Sequence, residues 1–141
     1  MSPCDFRTFK KGSTTLITVG SCRPAHVSRT KLEIIIQGRD GQGAQTAGNL
    51  LAQAFFKEGR QVQSFATYGG ARRGTPVNSM IRIDDKPIRL RCDIERADAI
   101  LCFDCSLLDA CLLHWAGRET LIMVNSAGLR EDYSNLGDYR I

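Results

Sequence analysis

No apolar run in this 141-residue sequence approaches the roughly 20 residues that a membrane-spanning helix requires, so no membrane association is expected. Histidine is scarce. His26 and His114 are the only two, and neither belongs to a legible Ser–His–Asp arrangement. No pair of carboxylates suggests acid–base work; Asp84 and Asp85 form part of a turn signal, "DDKP". Internal repeats and low-complexity blocks are missing, which excludes a repeat architecture. Acidic residues are nearly absent from the first 30 positions, where Asp5 stands alone against Arg7, Lys10, Lys11, Arg23 and Arg29. That stretch accounts for the whole net charge of +4, because the other residues carry 14 bases and 14 acids. A nucleic-acid partner would need a basic face on the folded part, and none is expected.

The six cysteines are read as reduced thiols of a cytoplasmic protein, because no secretory apolar stretch precedes them. Cys102, Cys105 and Cys111 have the spacing C-x2-C-x5-C, but a cluster site needs a fourth ligand, and only Cys92 is near in sequence. Cys102 and Cys111 fit core packing better. Cys105 falls near an expected helix start, where a thiolate is favoured; a redox thiol there is the alternative. His114 reads as a helix-end or interface residue. No metal site and no catalytic side chain are expected in this chain.

Residues 1–30 are rich in Ser and Thr and carry one short apolar piece, "TTLITV". A transit peptide, a disordered tail or an upstream start would all look like this; an unstructured leader is the expectation. A single domain is expected from residue 31 to 141. "LEIII" suits a strand buried on both faces. Gly38 to Gly43 reads as a turn and Ala44 to Glu58 as a helix, stopped by Gly59. "QVQSFATY" and "PVNSMIRID" read as strands, and "IRLR" as a fourth strand pairing back across "DDKP". "ADAILCF" and "TLIMVN" are further strands. Between them Ser106 opens a helix with Asp109 in a capping box, striped by Leu108, Cys111, Leu112 and Trp115 and closed by Gly117. Alternating strands and helices predict an α/β, Rossmann-like, doubly wound, mostly parallel sheet with an antiparallel hairpin insertion.

"GRDGQG", Gly38 to Gly43, follows a strand and opens a helix. It is not a good dinucleotide fingerprint: Gly41 and Gly43 supply two glycines, but Thr46 holds the third position. The next strand ends in Thr67 and Tyr68 where a ribose-binding acid belongs. Ala44 replaces the lysine of a P-loop. What remains is a helix N-terminus whose backbone N–H groups favour an anion, with Arg39 and Gln42 beside it. A ligand-free tight turn is the alternative. A second glycine-rich stretch, "YGGARRGTPV", leaves the next strand at the same end of the sheet, and its Arg72 and Arg73 could clamp a phosphate or carboxylate or meet an acidic patch on a partner.

"GRDGQGAQTAGNLLAQAFFKEG", "YGGARRGTPV" and "RIDDKPIRLR", in that order, resemble the gamma subunit, or equivalent domain, of the 2-oxoacid:ferredoxin oxidoreductases. The pyruvate and ketoisovalerate branch looks nearest, over about residues 31–126. The resemblance implies one component of an enzyme complex that oxidatively decarboxylates a 2-oxoacid to an acyl-CoA. Thiamine diphosphate and iron–sulfur clusters would reside in partner subunits, and ferredoxin would be served through the complex of alpha, beta, gamma and delta subunits. This chain would contribute coenzyme A binding and assembly. Carried over by position, Gly38, Arg39, Gly41, Gln42 and Gly43 would approach the coenzyme's phosphates. Tyr68, Gly69, Arg72, Arg73 and Gly74 would lie near the subunit interface and active-site mouth. Asp40 stands where the family usually has glycine, and Gly70 and Ala71 where it usually has proline and glutamate. The family's domain also continues beyond "TLIMVN", so a C-terminally incomplete domain is expected. A stand-alone nucleotide-binding oxidoreductase and an inactive fragment without ligand are the rival readings.

Overall fold

A computed structural model describes residues 7–11, 14–18, 31–70, 74–108 and 114–127. They form seven strands and one long helix: β1 (Arg7–Lys11), β2 (Thr14–Thr18), β3 (Leu32–Arg39), α1 (Ala44–Lys57), β4 (Gln61–Tyr68), β5 (Pro76–Asp84), β6 (Ala97–Cys102) and β7 (Ala116–Ser126), with a single 3-10 turn at Cys105–Leu107. All strands join one sheet in the order β1-β2-β7-β6-β3-β5-β4.

The α/β class is as expected, and the sheet is mixed rather than mostly parallel. β3 pairs with β6, and β6 with β7, in parallel. β5 lies between β3 and β4, antiparallel to both. β3, α1 and β4 thus keep the same-direction course of a βαβ unit, with β5 wedged into it. This placement overturns the expected pairing of "IRLR" with β5. Both edges of β5 are already taken, so Ile88–Arg91 has no free ladder there and runs irregularly.

Helix α1 forms because Ala44, Ala47, Gly48, Leu51 and Phe55 recur on one face and pack on Ile34, Ile36, Ile81 and Ile83 of the sheet. Gly48 allows close approach: a Cβ there would stand 2.9 Å from the Ser79 Cβ. The helix ends as its sequence dictates. Gly59 takes φ 84, its N–H donates to the Phe56 carbonyl, and the Arg60 N–H donates to the Phe55 carbonyl, the Schellman pattern.

The opposite sheet face carries Ile35, Met80, Ile100, Ile122 and Val124. Among the described residues it is covered by Ile94 from the irregular 85–96 segment, by Leu107 and by Trp115, not by a second long helix. The expected helix from Ser106 is a 3-10 turn at its start, and Asp104, not Ser106, caps it. Asp109, Cys111 and Leu112 lie outside the described residues. Gly117 belongs to β7 rather than closing a helix; the β6–β7 register shifts there, and the Thr120 hydroxyl bridges the Gly117 N–H and the Ala97 carbonyl.

Residues 7–11 and 14–18, expected to be unstructured, form an antiparallel hairpin beside β7. The physical reason is the edge of β7, whose backbone groups need partners once β6 has taken the other side.

Candidate functional site at the glycine turns

β3, β4 and β6 all end at the same end of the sheet, so the segments that follow them gather there. Gly38 and Arg39 are the last residues of β3 rather than part of the turn; the turn itself is Asp40–Gly43. Glycine is required at two of its positions: Gly41 has φ 90 and Gly43 φ 82. Gly38 suits a crowded position, since a Cβ there would stand 3.1 Å from the Ala44 Cβ and 3.3 Å from the Gln42 Oε1. Gly43 is the N-cap of α1, and no side chain caps the helix. The amides of its first turn have no carbonyl within the helix to bond, and Gly41, Gln42 and Gly43 are exposed.

Arg39 and Gln42, expected beside an anion, are committed to the protein. The Arg39 Nε donates to Asp104 Oδ2 at 3.0 Å, its Nη2 to Ser106 Oγ at 2.8 Å and its Nη1 to the Gly74 carbonyl at 3.0 Å. The Gln42 Nε2 donates to Asp104 Oδ2 at 3.1 Å, while its Oε1 accepts the Arg39 backbone N–H at 2.8 Å. On its other oxygen Asp104 accepts from the Ser106 N–H at 3.0 Å and the Ser106 hydroxyl at 2.6 Å. The Ser106 hydroxyl hydrogen bond is the largest cause of the low Asp104 pKa, lowered to about 2 against the opposing effect of burial; the Ser106 amide, Gln42 and Arg39 add to it. Asp40 is exposed, and its N–H donates to the Thr75 carbonyl at 3.0 Å.

The second glycine stretch therefore does meet the first, through Gly74 and Thr75. Gly69 closes the β4–β5 connection with an N–H donated to the Pro76 carbonyl at 2.9 Å. Tyr68 is 62% exposed at the end of β4. Arg72 and Arg73 lie outside the described residues. Asp104 is not expected from the sequence and Ser106 is expected only as a helix opener, although a carboxylate two residues after the parallel strand β6, at the ligand-gathering end of the sheet, is the available signal.

The three described cysteines do not converge. Cys102 is in the core, Cys105 is half-buried against it, and Cys92 is exposed. Among the described residues no group of three His, Cys, Asp or Glu side chains is placed to hold a metal ion, and no helix is long and apolar enough to cross a membrane. A groove lined by Glu33, Arg96, Asp98, Arg118 and Glu119 lies at the opposite end of the sheet, away from the described residues of the glycine turns.

Residues 33–136 match the family model described as pyruvate ferredoxin/flavodoxin oxidoreductase. The pyruvate/ketoisovalerate oxidoreductases common subunit gamma of Thermococcus kodakarensis is 54% identical over 78 residues, 55% of this chain and 42% of that protein. The protein of the same name from Thermococcus litoralis is 44% identical over 102 residues, 72% of this chain and 55% of that protein. A crystal structure of pyruvate oxidoreductase subunit PORC from Thermotoga maritima matches the fold with a TM-score of 0.65 at 31% identity, covering 76% of this chain and 56% of that one. The chain spans about half the length of the curated relatives it matches.

Proposed function

The chain belongs to the pyruvate ferredoxin/flavodoxin oxidoreductase family, and on that premise we propose that it is the gamma component of a cytoplasmic 2-oxoacid:ferredoxin oxidoreductase. In this reading it receives the phosphates of coenzyme A at the Asp40–Gly43 turn and assembles with alpha, beta and delta subunits. Those partners hold the thiamine diphosphate and iron–sulfur clusters and pass electrons to ferredoxin. The 2-oxoacid is pyruvate or a branched-chain analogue.

One observation carries the ligand assignment. A 14-residue helix begins at an exposed turn, Asp40–Gly43, whose N-cap Gly43 offers no side-chain cap, so its first-turn amides and the positive end of its dipole are open to an anion. The residues present fit a phosphate held by main chain. Arg39 and Gln42 build the frame of that cradle instead of contacting the ligand themselves, and Arg39 offsets the charge of Asp104. This revises the roles expected of both side chains.

The test is calorimetry with coenzyme A on the assembled complex, comparing the native chain with Gly43→Ala. A Cβ at that left-handed position costs about 1–2 kcal/mol and distorts the cradle, so affinity should fall several-fold or more. Unaltered affinity would place the phosphates elsewhere. Coexpression with the three partner subunits should give a stable complex; failure to associate would remove the assembly role.

A further inference from the structure

We propose that Asp104 is the positioning residue of the glycine-turn site: acting through Arg39, it locks the Asp40–Gly43 turn and the Gly74–Thr75 end of the second glycine loop into one unit. The consequence for ligand binding rests on the phosphate reading above; the coupling itself rests on geometry alone.

An arginine at the last position of a strand, with its side chain partly in solvent, ordinarily samples many positions and is drawn to any nearby anion. Arg39 does neither, because its three nitrogens are all engaged by two other segments: Nε donates to Asp104 and Nη2 to Ser106 after β6, and Nη1 donates to the Gly74 carbonyl before β5. Asp104 closes the ring. The oxygen that takes Arg39 Nε also takes Gln42 Nε2, and Gln42 returns its Oε1 to the Arg39 amide. The Asp104 carboxylate is itself held in place by both the hydroxyl and the amide of Ser106. The segments leaving β3, β4 and β6 thus share one guanidinium–carboxylate hub. A second tie, the Asp40 N–H to the Thr75 carbonyl at 3.0 Å, joins the same two loops by main chain and needs the same relative placement.

Removing the Asp104 charge should release all of this together. Arg39 loses its anchor and with it the reach to Gly74, Gln42 loses the partner that aims its Oε1, and the turn amides lose their fixed direction. A freed Arg39 could then swing onto a bound anion, so an effect on affinity alone would not separate positioning from charge; amide exchange does.

The experiment measures backbone amide exchange by NMR on the full chain, native and Asp104→Asn, together with the thermal midpoint. The substituted amide keeps the size of the side chain and an acceptor for Ser106 but loses the ion pair. Exchange at the Arg39 and Asp40 amides should accelerate at least about tenfold, the size of one lost charge-assisted hydrogen bond, with the central β5 and β6 amides unaffected. Unchanged exchange at both amides, or acceleration at Arg39 while Asp40 stays protected by Thr75, would overturn the coupling. If Asp104→Asn does not fold, Ser106→Ala removes two of the network's hydrogen bonds; it should accelerate the same two amides, and no acceleration there would equally refute the proposal. Inorganic pyrophosphate titrated into the native chain should shift the Gly43 and Ala44 amides and carry the shift to Gly74 and Thr75; in Asp104→Asn the second-loop shifts should vanish. If pyrophosphate shifts no turn amide in the native chain, the phosphate reading fails while the exchange data still decide the coupling.

Discussion

Asp104 shows how a single side chain acquires its role from neighbours close in space. Its carboxyl is lowered from 3.8 to about 2, chiefly by the Ser106 hydroxyl. A depressed carboxyl contributes stability above its unfolded value, and that contribution is lost as pH falls through the folded one. The window here runs from near pH 4 down to about 2. Ser106→Ala should raise the Asp104 midpoint toward 3.8, read from a carboxyl carbon-13 titration; a midpoint left near 2 would assign the shift to Arg39 and Gln42 instead. Gly48 makes a different point. Its missing Cβ is what lets α1 sit on β5, where the Ser79 hydroxyl is fully buried and without a hydrogen-bond partner. Gly48→Ala should destabilise the protein by about 1–3 kcal/mol, the usual cost of overpacking. Adding Ser79→Gly should recover part of that, as measured by urea unfolding. Equal stability in Gly48→Ala would mean the helix shifts at no cost.

At the scale of elements, β5 organises one half of the sheet. Its apolar residues serve both faces, and on the face away from α1 it carries Arg82, whose side chain is 2% exposed. Arg82 donates Nε to Glu33 Oε1 at 2.7 Å and Nη1 to Gln63 Oε1 at 2.9 Å, while its Nη2 reaches the carbonyls of Cys92 and Asp93. One guanidinium therefore joins β3, β5 and β4 and holds the irregular 85–96 segment over the core. Breaking a buried pair by removing one partner leaves an uncompensated charge and costs about 3–5 kcal/mol. Arg82→Ala should lose stability on that scale in denaturant unfolding. Replacing Arg82 and Glu33 together by apolar residues of similar volume should cost distinctly less. If the double replacement is as damaging as the single one, the hydrogen bonds to Cys92 and Asp93 carry the effect instead of the ion pair. The charge pattern of "RIDDKPIRLR" suggests a surface turn, and Asp84 to Lys86 is one, closed by the Lys86 N–H to Asp84 Oδ1. Nothing local marks Arg82 as the buried member, because the strand alternation that turns it inward also turns Met80 inward.

At the scale of the whole molecule, the sheet's two edges among the described residues are β1 and β4. The β1–β2 hairpin shields β7, which pairs with β2 from Met123 to Ser126. Deleting residues 1–18 would bare that stretch of β7, and an open edge is a template for association. The shortened chain should elute as larger species in size-exclusion chromatography with light scattering; a well-behaved monomer of unaltered thermal midpoint would show that the hairpin contributes nothing to edge protection. The same scale explains why strands at Arg7–Lys11 and Thr14–Thr18 are not legible in the sequence. A run such as "TTLITV" is too short to declare a strand unless a vacant edge is there to receive it.

By itself the sequence determined the local elements and the direction of the function. The helical period from Ala44, the stop at Gly59, the strands at 61–68 and 76–84, and the two glycine stretches at one end of the sheet were all legible, because periodicity and positive-φ glycines are properties of near neighbours. Motifs in order were also enough to point to the family that residues 33–136 match. Only the tertiary structure decided that β5 enters between β3 and β4, and that Arg39 bonds Asp104. Strand order depends on which edge is vacant when a strand arrives, and a hydrogen bond between residues 65 apart leaves no pattern in either stretch of chain.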